Sequence, residues 1–287
     1  MVKNGQVPNQ IPQVTFDRRK GSSFGVEVID LDDLRRRSLD HSVFRAHRIE
    51  FNILLVITGG CGQHMVDFVL HPAERGTLIH IGPGQVQRFD GGSGEDQLQG
   101  FLVLFQSEVS GTLTPSIHGP RCLRPAPADF DLLETLTELI FDLKNRELVT
   151  PPDRLAWRML STVLELWDGA VQMHTPPDEG SFRRELELFE NLLDRDFAEH
   201  RDVAWYARAL GCSEKTLSRW CRRAFGVNAK GHIDQRVALE AKRLLVHTES
   251  SVDRIAGDLG FSEATNFVKF FKRLEGTTPL DFRRLYT

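Results

Sequence analysis

The strongest constraint on the fold is a short pattern that occurs twice in the last third of the chain, about 49 residues apart. Each copy has a valine, an alanine, a Leu-Gly pair and a serine at matching positions: Val203, Ala207, Leu210, Gly211 and Ser213, then Val252, Ala256, Leu259, Gly260 and Ser262. A small residue lets two helices approach closely, glycine accepts a left-handed turn, and serine caps the helix that follows. The pattern predicts two helix-turn-helix units, at about residues 202–226 and 251–276.

Each predicted second helix has an apolar side and a basic side, because residues three or four positions apart lie on one face. The inward positions are Leu217, Trp220 and Cys221 in the first copy and Phe267, Phe270 and Phe271 in the second. The outward positions, which are the candidate DNA contacts, are Lys215, Ser218, Arg219, Arg222 and Arg223, then Thr265, Asn266, Lys269, Lys272 and Arg273. We expect base contacts from the N-terminal half of each helix and phosphate contacts further along, as for Arg222 and Arg223.

The two copies differ by one residue. One extra residue is predicted in the second recognition helix, so the offset between equivalent positions becomes 50 and Arg219 aligns with Lys269. Either side chain has the donors to contact guanine. We predict Ser213 and Ser262 as N-caps of the two recognition helices, and Ser250-x-x-Asp253 as the cap of the second scaffold helix. One copy alone is compatible with a tight helix corner, whereas two aligned copies with basic faces favour DNA binding.

The net charge of −4 by itself argues against a nucleic-acid partner, but the average conceals a split. Residues 201–287 carry 16 basic and 10 acidic side chains, and the preceding residues carry 20 and 30. This asymmetry indicates a C-terminal domain that faces nucleic acid. The four cysteines lack disulfide-like spacing, and no apolar stretch has the length of a signal-peptide core or a membrane span. We therefore expect a cytoplasmic protein without a membrane partner.

Residues 182–287 resemble the DNA-binding domain of the AraC/XylS transcriptional regulators. The matching positions are Ala241, Leu244, Leu245, Ile255, Ala256, Leu259, Gly260, Phe261, Phe267, Phe271, Lys272, Gly276, Thr278, Pro279, Phe282 and Arg283. The resemblance implies seven helices, with two recognition helices in successive major grooves on one face of promoter DNA, about 34 Å apart. It also implies an activator that works with RNA polymerase. The pair Trp220-Cys221 departs from the family, where a larger apolar-aromatic pair is usual.

The N-terminal part of the chain is predicted to be rich in β-structure. From residue 14 to about residue 110, short apolar runs alternate with glycine-rich turns, which is typical of a sandwich or barrel. The stretches HRIEFNILLVITGGCGQHMVDF and GTLIHIGPGQVQRF resemble the cupin-type sensor domain of many members of the same family. We expect an α+β multidomain chain, with a cupin-like β-barrel over 1–128, two helices over 129–172, a linker over 173–181 and an all-α domain over 182–287.

A cupin-fold metal enzyme is the main alternative. A metal cupin would present two histidines and a glutamate from one motif and a histidine from the next. Here His47 is present, but Ile49 and Ile53 occupy the other first-motif positions and Gln87 replaces the second-motif histidine. One imidazole does not hold a divalent metal against water, so we predict no metal, no cofactor and no catalytic residue. A second alternative is an interaction protein whose helical domain has lost its affinity for DNA.

The resemblance also implies a small-molecule effector bound inside the barrel. It places Arg45 and Phe89 at positions that contact ligand in an arabinose-responsive member of the family. Leu102 replaces a polar or large aromatic group, so the site looks too apolar for a sugar. Arg45 and His47 could contact an anionic or polar end group of a ligand. We therefore predict a small, partly apolar, carboxylated effector. The alternative is that Arg45 forms an internal ion pair and the barrel is simply packed.

The helix predicted over residues 129–147 has one apolar stripe. In the resembling regulators such helices form an antiparallel contact between two subunits. This implies a homodimer, with Leu136, Leu139, Ile140 and Leu143 as candidate contacts. Packing of the helix on the chain's own barrel would satisfy the same stripe.

Overall fold

The computed structural model describes residues 3–4, 13–15, 25–37, 47–91, 97–106, 122–143, 152–174 and 182–286. The chain divides into two compact units, whose main bodies are Ile11–Thr175 and Pro176–Thr287. Each unit has its own hydrophobic core.

The N-terminal unit contains two β-sheets and, after its third strand, a short helix α1 (Leu31–Arg37). The strands are β1 (Lys3–Asn4), β2 (Gln13–Thr15), β3 (Val26–Asp30), β4 (His47–Ile49), β5 (Asn52–Gly59), β6 (Cys61–Val66), β7 (Val69–Glu74), β8 (Leu78–Ile81), β9 (Val86–Gly91), β10 (Gln99–Phe105) and β11 (Cys122–Leu123). One sheet has the order β1-β2-β4-β9-β6-β7 and the other β11-β8-β5-β10-β3. In the described ranges no strand pair joins the two sheets, so the closed cupin-like barrel stays a prediction.

The side chains of β5 alternate between two cores. Ile53, Leu55 and Ile57 belong to the core between the two sheets, whereas Leu54 and Val56 belong to a core on the other side of the five-stranded sheet. Successive side chains of a strand point to opposite faces. Strand β5 is therefore buried on both faces, which explains its continuous apolar run.

Two helices, α2 (Pro127–Asp142) and α3 (Pro152–His174), cover the outer face of the five-stranded sheet. Helix α2 begins with Pro127, whose fixed φ suits the first helical turn, two residues before the predicted start. The buried side chains of both helices share one core with Leu54 and Val56. These helices are therefore part of the N-terminal unit.

The apolar stripe of α2 is used inside this unit. Ile140 and Leu143 are buried in its core and Leu136 packs against it, whereas Leu139 is 38% exposed. A buried side chain has no surface to offer a second subunit. The prediction that Ile140 and Leu143 form a dimer contact is therefore corrected to internal packing, the alternative that the sequence left open.

The C-terminal unit contains seven helices in its described residues, the number that the family resemblance implies. They are α4 (Arg183–Asp196), α5 (Val203–Ala209), α6 (Glu214–Phe225), α7 (Ala229–His247), α8 (Val252–Asp258), α9 (Ala264–Glu275) and α10 (Pro279–Tyr286). Helix α7 packs against α6 in the first half and against α9 and α10 in the second, and so connects the two halves. Of the helices in the described ranges, none has the length and apolar character needed to cross a membrane.

Candidate nucleic-acid interface

The two halves of the C-terminal unit contain the same turn. In the first half, the amides of Leu210, Gly211 and Cys212 donate to the carbonyl oxygens of Tyr206, Arg208 and Ala207. In the second half, the amides of Leu259, Gly260 and Phe261 donate to those of Ile255, Gly257 and Ala256. Gly211 and Gly260 have φ values of 66° and 74°, in the left-handed region that favours glycine. The repeated sequence pattern therefore folds into a repeated backbone.

Helices α6 and α9, which follow these turns, have equal length but different N-caps. Helix α6 begins after Ser213, whose Oγ accepts a hydrogen bond from the Thr216 amide at 3.1 Å, as predicted. Helix α9 begins after Glu263, which makes no side-chain cap bond, so the prediction of Ser262 as N-cap is wrong. Both helices have 12 residues. The extra residue of the second copy therefore lies ahead of the recognition helix and not within it.

The first helices of the two pairs, α5 and α8, are capped by side chains. Asp202 accepts from the Trp205 amide at 2.8 Å, and Ser251 accepts from the Arg254 amide at 3.2 Å. The cap predicted at Ser250-x-x-Asp253 is therefore wrong by one residue.

The predicted DNA contacts lie on the solvent side of α6 and α9. Nine of them are exposed and Ser218 is half-buried; the exposed ones are Lys215, Arg219, Arg222, Arg223, Thr265, Asn266, Lys269, Lys272 and Arg273. The opposite side of each helix is buried at equivalent positions, by Leu217 and Cys221 in α6 and by Phe267 and Phe271 in α9. Each helix thus presents a row of basic side chains to solvent, at matching positions.

The Trp220-Cys221 pair has well-defined contacts in α6. Cys221 is buried, and this burial raises the pKa of its thiol to about 12, so it serves as a small core residue. Trp220 is half-buried and stacks on Phe182, with 6.1 Å between ring centroids. Trp220 therefore packs α6 onto the residue that precedes α4, while Cys221 packs in the core of the first half.

Arg273, one of the predicted DNA contacts, is oriented by a carboxylate. Asp234 on α7 accepts hydrogen bonds from Lys230 at 2.7 Å and from Arg273 at 3.2 Å. The Asp234 side chain is 7% exposed, whereas that of Arg273 is 64% exposed. Arg273 therefore keeps most of its surface in solvent while its guanidinium is held in one direction.

Arg201 is a further residue of this unit that no sequence pattern singles out. Its guanidinium lies over the ring of Phe261, 3.7 Å from the centroid, and donates to the carbonyl oxygen of Gly260. Arg201 and Gly260 are 59 residues apart. Helical periodicity gives no signal at that separation, because it relates only residues within one helix.

The predicted effector contacts within the described residues lie between the two sheets of the N-terminal unit. His47, Phe89 and Leu102 are all buried there. Arg45 lies outside the described residues, so both interpretations of it, an effector contact and an internal ion pair, stay predictions. The structure brings the imidazole of His47 and the ring of Phe89 into one buried region.

Polar side chains gather in this region; His47, His64 and Gln87 are named here the inter-sheet polar cluster. Nε2 of His47 is 2.9 Å from Nε2 of Gln87, and the ring of His64 meets that of Phe89 edge-on, with 4.5 Å between centroids. Both ring nitrogens of His64 and Oε1 of Gln87 have no hydrogen-bond partner among the described residues. Burial, followed by the nearby His47 and His71, lowers the pKa of His64 to about 3, and the nearby Gln87 side chain raises it to a smaller extent; the ring is neutral at neutral pH.

The residues at the expected metal-cupin positions do not form a ligand set. His47 has Gln87 as its cross-strand neighbour, and Ile49 and Ile53 are buried aliphatic side chains. Throughout the part of the chain that the structure describes, no group of three or more His, Cys, Asp or Glu side chains is placed to hold a metal ion.

Comparison with known proteins identifies the family. Residues 206–285 match a family profile described as a helix-turn-helix domain. The HTH-type transcriptional activator RhaS of Escherichia coli O6:H1 is 32% identical over 258 residues, which cover 86% of this chain and 90% of RhaS. The HTH-type transcriptional activator RhaR of Mannheimia succiniciproducens is 22% identical over 250 residues, covering 84% and 87%. The solved structure of ToxT from Vibrio cholerae is 13% identical, covers 91% of this chain and 98% of ToxT, and has a TM-score of 0.45. With a relative above 30% identity along most of both chains, this protein belongs to the AraC/XylS family of DNA-binding transcription regulators.

Proposed function

We propose that the protein regulates transcription by placing α6 and α9 in successive major grooves of promoter DNA. The observation that carries this proposal is the repeat: both helices follow the same turn, have 12 residues and expose basic side chains at equivalent positions. Equivalent faces on one compact unit favour equivalent contacts. Successive major grooves on one face of B-DNA are about 34 Å apart.

The outward residues divide into two proposed roles. Lys215, Ser218 and Arg219 on α6, and Thr265, Asn266 and Lys269 on α9, lie in the N-terminal half of each helix and would contact base edges. Arg222, Arg223, Lys272 and Arg273 lie in the last turns and would contact phosphates. Arg219 and Lys269 occupy aligned positions, and both have the donors to contact guanine O6 and N7.

Fluorescence anisotropy with full-length protein tests these roles, using a duplex that the protein selects from its source DNA and a random duplex of equal length. Arg219→Ala is expected to cost about 1–3 kcal/mol on the selected duplex and little on the random one. Arg222→Ala is expected to weaken both duplexes equally and to lower the salt slope by about one. Equal loss on both duplexes for Arg219→Ala would show that Arg219 contacts phosphate instead.

We also propose that the N-terminal unit binds a small effector through the inter-sheet polar cluster. The support is chemical: His64 is fully buried and neutral, and polar atoms of His64 and Gln87 lack partners among the described residues. Buried polar groups are generally hydrogen-bonded, so these atoms favour a ligand that supplies hydrogen-bond partners. The cluster therefore favours an effector with hydroxyl, carbonyl or carboxyl oxygens, which includes the carboxylated one predicted from Arg45 and His47.

Thermal shift measurements test this effector proposal. A panel of uncharged alcohols, lactones and amides is compared with aromatic and aliphatic acids on the wild type and on His64→Leu. We expect stabilisation by one or more of these compounds that His64→Leu abolishes. Compounds that stabilise both proteins equally, or no stabilisation across the panel, would contradict the proposal.

We propose a homodimer through the exposed side of α2. Its contact is smaller than the predicted one, because two of the four candidate residues are buried inside the unit. Leu132 and Leu139 are 49% and 38% exposed and are seven residues apart, so they lie on one face of α2. Sedimentation of the wild type and of Leu139→Glu tests it. We expect a dimer that the substitution weakens; a monomeric wild type would remove the proposal.

The remaining proposals follow from family membership. We propose activation together with RNA polymerase in the cytoplasm, and relatives named transcriptional activators support the activating role. Family membership favours a regulator over an enzyme, and no finding favours the cupin-fold metal enzyme. Transcription in vitro from a bound promoter, with and without the protein, tests the sign of regulation.

A further inference from the structure

We infer that Arg201 is a positioning residue that fixes the two reading helices relative to each other and so sets the half-site spacing that the protein accepts. This inference rests on the proposed function, because it presumes that α6 and α9 both contact DNA. It concerns a contact between the two halves of the C-terminal unit, made by a residue outside the range 206–285 that matches the family profile.

The backbone around Arg201 is held by the first half of the unit. Lys230 on α7 donates to the carbonyl oxygen of Arg201 at 3.1 Å. The hydroxyl of Tyr206 on α5 donates to the carbonyl oxygen of His200 at 2.9 Å, and Tyr206 is fully buried. The segment between α4 and α5 is therefore anchored to the first helix pair.

The side chain of Arg201 reaches the turn of the second helix pair. Its guanidinium covers the ring of Phe261, 3.7 Å from the centroid, and donates to the carbonyl oxygen of Gly260. Burial lowers the pKa of this guanidinium, and the charge of Asp234 acts in the opposite direction. A partly desolvated cation over an aromatic face is attracted more strongly than an exposed one.

Phe261 transmits this contact to the second reading helix. Its ring lies 5.3 Å from that of Phe267 and 5.1 Å from that of Phe270, both on α9. On the other side, Gly260 approaches so closely that a Cβ atom would lie 2.0 Å from the carbonyl oxygen of Ala198. Arg201 thus closes a contact that runs from α5 and α7 to α9.

A rigid connection between two DNA-contacting helices has a predictable effect on binding. When both helices are held at the correct separation, binding of one raises the effective concentration of the other at its half-site. Loosening the connection lowers the affinity for the correctly spaced site and leaves each half-site affinity unchanged. It also reduces the penalty for a wrong spacing, because the helices can adjust.

The test measures spacing discrimination by full-length protein. The probes are a duplex selected by the wild type from a random-sequence library, the same duplex with one base pair inserted or deleted between its half-sites, and each half-site alone. Arg201→Ala is expected to weaken binding to the selected duplex by about tenfold and to shrink the ratio between correct and altered spacing. Half-site binding is expected to stay at the wild-type level.

Matched variants separate positioning from charge and folding. Arg195→Ala removes the same charge from the end of α4, where the guanidinium pairs only with the adjacent Asp196 among the described contacts, and should keep the wild-type ratio. Phe261→Leu should reproduce the Arg201→Ala ratio. Arg201→Lys keeps the charge but not the planar guanidinium that covers the ring and donates to Gly260, so it should also shrink the ratio, and it serves as the test if the alanine variant fails to fold. An unchanged ratio in Arg201→Ala, Arg201→Lys and Phe261→Leu would overturn the inference while leaving the two-helix proposal intact. A wild type that does not discriminate spacing would overturn both.

Discussion

Arg273 donates a hydrogen bond to Asp234 across 3.2 Å, joining the C-terminal end of helix α9 to the connecting helix α7. Asp234 is the buried member of this pair, and it also accepts from Lys230 at 2.7 Å. Asp234→Asn is expected to lower the free energy of unfolding by about 1–2 kcal/mol, a modest loss because both cations are largely solvated. Urea unfolding of the full-length wild type and variant measures this loss in the free energy of unfolding. Glu249→Gln, which removes an exposed charge outside the helices, is the control and should change stability by less than about 0.5 kcal/mol. Equal losses in the two variants would show that the buried contact adds nothing.

The two turn glycines should respond very differently to the same substitution. Both have positive φ, so alanine is strained at either position. At Gly211 a Cβ atom meets nothing within 4 Å, whereas at Gly260 it would lie 2.0 Å from the carbonyl oxygen of Ala198. We expect Gly211→Ala to cost about 1 kcal/mol and Gly260→Ala more than about 3 kcal/mol. Thermal unfolding of both variants decides this, and similar melting temperatures would refute the close approach at Gly260.

Loss of the serine hydroxyl should destabilise the first recognition helix more than the second. Ser213 accepts a hydrogen bond from the Thr216 amide, whereas Ser262 precedes the N-cap of its helix. Ser213→Ala is expected to lower the free energy of unfolding by about 1 kcal/mol and Ser262→Ala by less than about 0.5 kcal/mol. A comparable loss in both, measured by denaturant unfolding, would restore Ser262 as a cap.

His64 predicts how the stability of the N-terminal unit depends on pH. Its pKa is lowered to about 3 in the folded state, against an ordinary value of 6.5. Below pH 6.5 the unfolded state binds the proton and the folded state does not, so stability is complete above pH 6.5 and falls as the pH drops toward 3. Between pH 7 and pH 5 this amounts to about 2 kcal/mol.

The substitution His64→Gln removes the titrating group and should remove most of this acid loss. Thermal unfolding at a series of pH values provides the measurement. His174→Gln, at the exposed end of α3, should retain the acid loss of the wild type. If His64→Gln loses as much stability between pH 7 and pH 5 as the wild type, another group carries the acid sensitivity.

Local patterns in the sequence predicted the features that depend on neighbours along the chain. The Leu-Gly pairs gave the two turns, and helical periodicity gave the buried positions of Leu217 and Phe267. The position of the extra residue was not predictable from the sequence. Periodicity fixes the spacing of 50 between equivalent positions of the two copies, but it does not show at which residue the second helix begins. Ser262 was predicted as the cap, and the helix begins one residue later, after Glu263.

Contacts between distant segments could not be predicted from one sequence. The stripe on α2 needed burial, but a second subunit and the chain's own sheet would satisfy it equally, and the structure assigns Ile140 and Leu143 to the sheet. Asp234 and Arg201 act on residues 39 and 59 positions away. Their roles depend on how the helices pack, and neither the sequence repeat nor the charge distribution predicts that packing.

The most direct test of the bipartite arrangement is a hydroxyl-radical footprint of the full-length protein on a duplex that it selects. We predict two protected segments on one face of the DNA, centred about one helical turn apart. Arg219→Ala should weaken protection mainly in one segment and Lys269→Ala mainly in the other. A single protected segment, or two segments that both substitutions weaken equally, would contradict the assignment of α6 and α9 to separate grooves.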